Sequence, residues 1–260
     1  MPVTFTNSWP DPVPQRWGSN IAKNIDQFFA TGRESVACQA MRKVLPHLER
    51  IQPRHILDIG SWHLKQSIEF LHVFPEAHVH AFEPTPESYE LCVKTQRGLE
   101  QEFRSRVQVW PLALGEENAQ IDFFVVDPSR GDDNQGAASR YEFVPGMNGS
   151  FYNKNWVQKR IIASMQTLDY WVENNSIDQP IDMIWMDTQG GELRVLQGAT
   201  KTLETVKIIF TEVGIKEYYQ GQGLKPEIDA FLLARGFQEV TEAFELNGFE
   251  FEGNTVYVRN

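Results

Sequence analysis

A chain of 260 residues with 41% hydrophobic and 12% aromatic content can bury a full core, which excludes a disordered chain and fits one α/β domain with additions. Its 24 Lys and Arg stand against 35 Asp and Glu, a formal charge of −11, which argues against a nucleic-acid partner because phosphate backbones are held by basic side chains. No apolar run reaches the ~20 residues of a membrane span, and the N-terminus MPVTFTNSWPDPVPQRWG lacks the apolar stretch of a signal peptide.

In chain order, residues 1–19 read as an extended arm, with prolines set among Trp9, Trp17 and Gly18. Residues 20–50 read as two helices broken near Thr31-Gly32, a cap laid over a sheet, and residues 51–260 as the main domain. Residues 55–84, HILDIGSWHLKQSIEFLHVFPEAHVHAFEP, read as strand, glycine turn, helix and strand. A helix over 88–99 follows, with Tyr89, Leu91, Val93 and Leu99 expected to face inward. Residues 107–114 read as a third strand and 121–126 as a fourth, an antiparallel extension.

The segment 127–155 is rich in Gly, Asn, Asp and Ser and carries the aromatic groups Tyr141/Phe143 and Phe151/Tyr152/Trp156. A loop of that length inside a compact domain is expected to be functional, here a lid-like insertion over the acceptor. Beyond it come a strand at 161–165, a short helix from Leu168, a buried strand at 181–186 ending on Asp187, and a helix at 192–203. A strand at 206–210 running into Thr211-Glu212, a helix at 226–234, and strands at 237–244 and 255–258 close the chain. The alternation predicts a mostly parallel sheet with helices on both faces and a terminal antiparallel hairpin.

Cys38 and Cys92, with no CxxC or Cys/His cluster, argue against a disulfide scaffold or zinc site and suit a reducing cytoplasm. The six histidines show no HExxH spacing, and His78 and His80 read as surface or core-edge positions on a strand. No GxSxG nucleophile elbow is present. Four predicted strands end on acids, Asp58, Glu83, Asp187 and Glu212. Acids there can be simple caps for the following helices, but in open α/β sheets the ligand also sits at the carboxyl ends of the strands. Gly60 lets backbone approach a ligand closely. Glu83 is placed to accept two hydrogen bonds from ribose hydroxyls. GxGxxG and GxxxxGK[ST] are both absent, and Ser61, Trp62, His63, Leu64 and Lys65 are too bulky for a pyrophosphate cradle. A nucleoside ligand without phosphates, such as S-adenosylmethionine, is the better match.

These residues carry a resemblance. DIGSWHLKQS, AFEP at 81–84, ALG at 113–115, TLD at 167–169 and the block IDMIWMDTQGGELRVLQGA at 181–199, then Glu212-Val213, resemble in order the motifs of the FkbM family of S-adenosylmethionine-dependent methyltransferases. The likeness spans roughly residues 54–237, and three positions depart from it: Leu64 stands at the usual second glycine, Trp62 at the usual Asn, and Trp185 at the usual Lys. The resemblance implies a class I methyltransferase, Rossmann-like, seven-stranded sheet and O-methylation of a small-molecule hydroxyl, of a sugar, glycan or secondary metabolite.

Carried onto this chain, the resemblance implies cofactor contacts at Asp58, Gly60, Ser61, Ser67, Glu83, Pro84, Ala113, Leu114, Asp187, Thr188 and Gln189. Asp187 is the first candidate for the general base and Glu212 the second. The same two carboxylates could instead share Mg²⁺. Two rivals stand beside this reading. One is a protein that binds S-adenosylmethionine without turnover and serves as a partner or regulator. The other is a nucleotide-dependent dehydrogenase, disfavoured by the missing glycines.

Overall fold

The computed structural model describes residues 18–32, 36–130, 134–147, 156–246 and 251–259. The proposed arm at 1–17 and parts of the 127–155 insertion lie outside them. The elements run α1 (Ile21–Ala30), α2 (Val36–Lys43), α3 (Leu45–Ile51), β1 (His55–Ile59), α4 (Lys65–Val73), β2 (His78–Phe82), α5 (Pro86–Gly98), α6 (Gln101–Arg104) and β3 (Val107–Trp110). Then come β4 (Ala113–Leu114), β5 (Ala119–Val126), β6 (Gln158–Gln166), α7 (Leu168–Asn174), β7 (Met183–Met186) and α8 (Glu192–Gln197). Last are β8 (Ile208–Gly214), α9 (Lys225–Leu233), β9 (Phe237–Glu239), β10 (Glu245–Leu246) and β11 (Glu252–Arg259).

The main sheet is ordered β10-β11-β8-β7-β1-β2-β3, and β9 also pairs with β11. Strands β3, β2, β1, β7 and β8 are parallel, and β11 is antiparallel to β8. The expected seven positions are therefore present, but the outermost is shared by two short strands, so the sheet has eight. The predicted strand at 237–244 breaks into β9, a 3₁₀ turn at Thr241–Ala243 and β10. From β1 the chain builds outward through β2 and β3, then returns to the other side of β1 with β7 and β8. That reversal between β1 and β7 opens a crevice at their carboxyl ends, where an α/β sheet binds its ligand.

Alternation along each strand gives the sheet two apolar faces. Ile56, Val79, Trp185, Phe210 and Val256 pack under α1 to α4, while Leu57, Phe82, Ile184, Ile209 and Tyr257 pack against Trp171, Leu196, Ile228 and Leu232 of α7 to α9. The N-terminal cap is thus continuous with the core of one face, and it holds three helices rather than two, α3 starting afresh with a proline in its first turn.

Other expectations are corrected. The run 107–114 is split by Pro111, which has no N–H for a ladder, into β3 of the main sheet and β4 of a second sheet ordered β4-β6-β5. The antiparallel extension is this separate sheet, with Ala119 to Val126 paired against Gln158 to Met165. On α5 the buried positions are Ser88 and Cys92, while Tyr89, Leu91 and Val93 are half-buried. Helix α8 ends at Gln197, not 203, because Gly198 follows; a Cβ there would lie 1.9 Å from the Gly115 carbonyl oxygen. His78 is exposed, whereas His80 is buried against Trp110 and Trp171, and burial lowers its pKa to about 4.

Candidate active site

The β1–α4 turn is hung on the end of β2: the Gly60 and Ser61 amides both donate to the Phe82 carbonyl, at 3.1 and 3.0 Å. Its backbone enters the left-handed region three times, at Gly60 (φ +87°), Trp62 (+49°) and Leu64 (+70°). This conformation explains the two departures in the motif. Glycine and asparagine take it readily, whereas a bulky side chain pays roughly 1–2 kcal/mol. Leu64 and Trp62 have kept the turn's geometry at that cost. Gly60 has no alternative, since a Cβ would lie 1.8 Å from the Asp187 carbonyl oxygen. The tip of β1 is thereby pressed against the tip of β7, and the Asp187 amide donates to Ile59 at 2.9 Å.

Glu83 ties this turn to β2. One carboxylate oxygen accepts from the Trp62 amide at 2.9 Å, and the other from the Thr85 amide at 2.9 Å and hydroxyl at 2.7 Å. Burial raises its pKa, and those three donors oppose the rise. A carboxylate has about four lone-pair sites, so Glu83 has room for one further donor and not for the two expected from sequence. Asp58 is fully buried behind the turn, where its Oδ2 accepts from the Ser61 hydroxyl at 3.0 Å and from the Ser67 hydroxyl. Its Oδ1 accepts no hydrogen bond among the described residues. Burial raises the Asp58 pKa to about 6, with the serine hydroxyls pulling the other way.

The β7–α8 turn forms the other wall. Glu192, the first residue of α8, is buried and accepts from the Thr188 amide (2.8 Å), the Thr188 hydroxyl (2.9 Å) and the Gly190 amide (3.2 Å). Burial raises its pKa to about 7. Gln189, with φ +53°, turns its side chain back so that its amide N–H₂ donates to both candidate catalytic carboxylates, Asp187 Oδ1 at 2.8 Å and Glu212 Oε2 at 2.9 Å. The Tyr219 hydroxyl donates to Gln189 Oε1 at 2.7 Å and fixes which way the amide points. The Ser139 hydroxyl donates to the Gln189 carbonyl at 2.7 Å.

The Asp187 carboxylate opens onto the crevice while protein surrounds it on its other sides. Burial raises its pKa against the Gln189 hydrogen bond. Glu212 is raised well above the usual carboxylate range by burial and by the charge of Asp187. The two share protons as a pair.

A cleft of about 600 Å³ runs between the two turns. Gly60, Glu83, Pro84, Ala113, Leu114, Asp187, Thr188 and Gln189 line it, together with Phe82, Leu112, Ile121, Phe123 and Met165. Asp58, Ser61 and Ser67, expected at the cofactor, form the buried support behind it, and Glu212 opens instead onto a second cavity. The described part of the insertion, through Gln135, Gly136, Ala138 and Arg140, also lines the cleft, with Arg140 anchored by a forked ion pair to Glu116. Sequence reasoning missed Tyr219, Ser139 and Arg140, whose approach depends on loops that carry no motif.

The cleft fits an adenosyl group, with a slot walled by Phe82, Leu112 and Leu114 beside a carboxylate that has acceptor capacity to spare. A shared divalent cation fits less well. The Gln189 N–H₂ already bridges the two carboxylates, a donor where Mg²⁺ requires oxygen. Among the described residues no group of three or more His, Cys, Asp or Glu could hold a metal ion.

A sheet reversed beside its first strand, with a cleft and two amide-bridged carboxylates at the crossover, has the class I methyltransferase fold. The family model of the methyltransferase FkbM domain matches residues 55–239, and the chain belongs to that family. It is 30% identical over 201 residues to the 2-O-methyltransferase NoeI of Sinorhizobium fredii, covering 75% of this chain and 77% of that protein. Among solved structures, an O-methyltransferase from Bacillus cereus in complex with SAH aligns at 10% identity and TM-score 0.46, over 95% of this chain and 94% of that one. A precorrin-6y C5,15-methyltransferase from Geobacter metallireducens aligns at 13% identity and TM-score 0.41, over 86% and 87%. At those scores the likeness adds nothing to the topology read from the strand order.

Proposed function

We propose that this methyltransferase moves a methyl group from S-adenosylmethionine to a hydroxyl of a small-molecule acceptor, a sugar, glycan or secondary metabolite, with Asp187 as general base. The observation that carries the assignment is the position of Asp187, on the wall common to the cleft and the second cavity and within 2.8 Å of the amide it shares with Glu212. When bound, S-adenosylmethionine supplies an electrophilic methyl on a sulfonium. Glu83 accepts one ribose hydroxyl and, through the Trp62 amide, keeps the β1–α4 turn in place. Asp187 would take the acceptor proton as the hydroxyl oxygen bonds to the methyl carbon and the carbon–sulfur bond breaks, its electron pair staying on the neutral thioether sulfur. The raised proton affinity of the pair brings the base closer to neutral pH, where a general base works best.

The choice of a hydroxyl oxygen as the methyl acceptor draws on NoeI, whose name specifies 2-O-methylation. The described part of the insertion lies over the cofactor cleft, so we assign it to covering the cofactor more than the acceptor. Among the described residues no helix is long and apolar enough to cross a membrane, and the two free buried cysteines suit a reducing compartment, the cytoplasm. The reading without turnover loses its sequence support, since Trp62 and Leu64 preserve the left-handed turn.

The test is transfer of a labelled methyl group to a panel of sugars by wild type and Asp187→Asn. The variant is expected to bind S-adenosylhomocysteine as wild type does and to lose roughly 10²–10⁴-fold in transfer, the range for removing a general base. Full transfer by the variant on a confirmed acceptor moves the base to Glu212.

A further inference from the structure

On the far side of Asp187 lies the second cavity, an open one of about 1100 Å³ counted with the space it opens to solvent, between α2, the start of α4, the carboxyl-terminal parts of β7 and β8, and β11. It shares two walls with the cofactor cleft, Trp62 and Asp187, and Glu212 opens onto it alone. A molecule seated there lies against the same carboxylate that borders the cofactor cleft, where its hydroxyl and the methyl carbon can be brought together beside the base.

The lining has two kinds of surface. The first is aromatic: Trp185 stacks on Phe210 with ring centres 5.4 Å apart and planes at 27°, and Trp62 stacks on His63 at 4.2 Å and 20°. The second is polar and reachable by solvent. The side chains of Gln66, Asn254 and Lys65 have no hydrogen-bond or ion-pair partner among the described residues. Flat apolar faces beside free amides suit a pyranose ring, whose C–H face is apolar and whose rim is all hydroxyls.

Charge narrows the class. Asp187 and Glu212 line the cavity, and Lys43 is already held by Glu245 at 2.6 Å, which leaves Lys65 as its one unpaired lysine among the described residues. An anionic acceptor would meet like charge at the base itself. Trp185 acts in the same sense, since it sets an indole where the related motif carries a lysine.

We infer that this second cavity is the acceptor site and that it takes a neutral sugar or glycan, with Trp185 and Trp62 selecting ring over charge. The inference rests on the methyltransferase reading, and the experiment separates the two. Calorimetry of the wild-type chain with S-adenosylhomocysteine comes first; no binding defeats the methyltransferase reading whatever the cavity holds. Labelled methyl transfer is then measured on neutral methyl hexosides and a short neutral oligosaccharide, with a uronic acid and a catechol as counter-probes.

Ala40→Phe fills the cavity from α2, away from the cofactor cleft. It is expected to cut transfer to the neutral glycoside at least roughly tenfold with S-adenosylhomocysteine affinity unchanged. Gln66→Ala and Asn254→Ala are milder variants that decide the matter should Ala40→Phe fail to fold. Each is expected to raise KM for the glycoside roughly 2–10-fold, one hydrogen bond's worth, at unchanged kcat. Wild-type kcat/KM in these variants overturns the site. Transfer to the uronic acid or the catechol in preference to every neutral glycoside overturns the substrate class.

Discussion

Gln189→Met removes the amide that touches both candidate catalytic carboxylates while keeping an unbranched side chain of similar length. Gln189 donates to Asp187 at 2.8 Å and to Glu212 at 2.9 Å. Hydrogen bonds to charged groups contribute about 1.5–3 kcal/mol each, and one pKa unit corresponds to about 1.4 kcal/mol. Both bonds favour the ionised carboxylates, so losing them raises the proton affinity of the pair, by about one to two units. We take the lower end, because water from the crevice reaches Asp187 and replaces part of the lost donation.

The acid limb of the kcat/KM profile, which reports the free enzyme's base, should therefore move up by about one pH unit. At a pH below the limb the variant is roughly tenfold slower, and above it the rate recovers. Tyr219 keeps a second partner for its hydroxyl, the Ala137 carbonyl at 3.3 Å, so the loop behind Gln189 retains an anchor. A variant whose whole profile drops without moving along the pH axis would show that Gln189 only positions the loop. A limb at the wild-type pH refutes the account of the pair.

Glu83→Ala should weaken S-adenosylhomocysteine binding by the one charge-assisted bond that its remaining lone pair allows, about 1.5–3 kcal/mol, and by any loosening of the Trp62 turn; calorimetry showing unchanged affinity in a folded variant removes Glu83 from the site. Asp58 has a folded pKa of about 6 against the ordinary aspartate value of 3.8. Between those two values the folded chain binds the extra proton, so this residue makes stability fall as pH rises from about 4 to about 6, by about 3 kcal/mol. Asp58→Asn should abolish that part of the pH dependence in urea unfolding, and a curve parallel to wild type contradicts the burial argument. Gly60→Ala should fail to assemble the site, since its Cβ meets the Asp187 carbonyl at 1.8 Å; wild-type S-adenosylhomocysteine affinity in that variant would show that the β1 and β7 tips can part without consequence.

The sequence alone determined the parallel core of this protein and the residues at its crossover. HILDIG and IDMIWMD are short apolar runs ended by an acid and a turn, signals that are local in the chain, and β1 and β7 form where those runs lie. Gly60 was legible for the same reason, because a tight turn leaves its mark at one position. What the sequence could not determine was direction and depth. Asp58 and Asp187 have the same kind of neighbours in the chain, yet one is sealed behind the turn with two serines and the other opens on two cavities.

Residues 107–114 read as one strand, and only the fold parts them at Pro111 and assigns β3 and β4 to different sheets. The Gln189 clamp joins residues from two strands to Tyr219 in the loop after β8, across separations that no periodicity spans. The left-handed turn at Trp62 and Leu64 runs against their own preferences, and it is held by distant groups, the Phe82 carbonyl and the Glu83 carboxylate. Local preference writes itself into sequence; a conformation imposed from across the sheet appears only once the chain has folded.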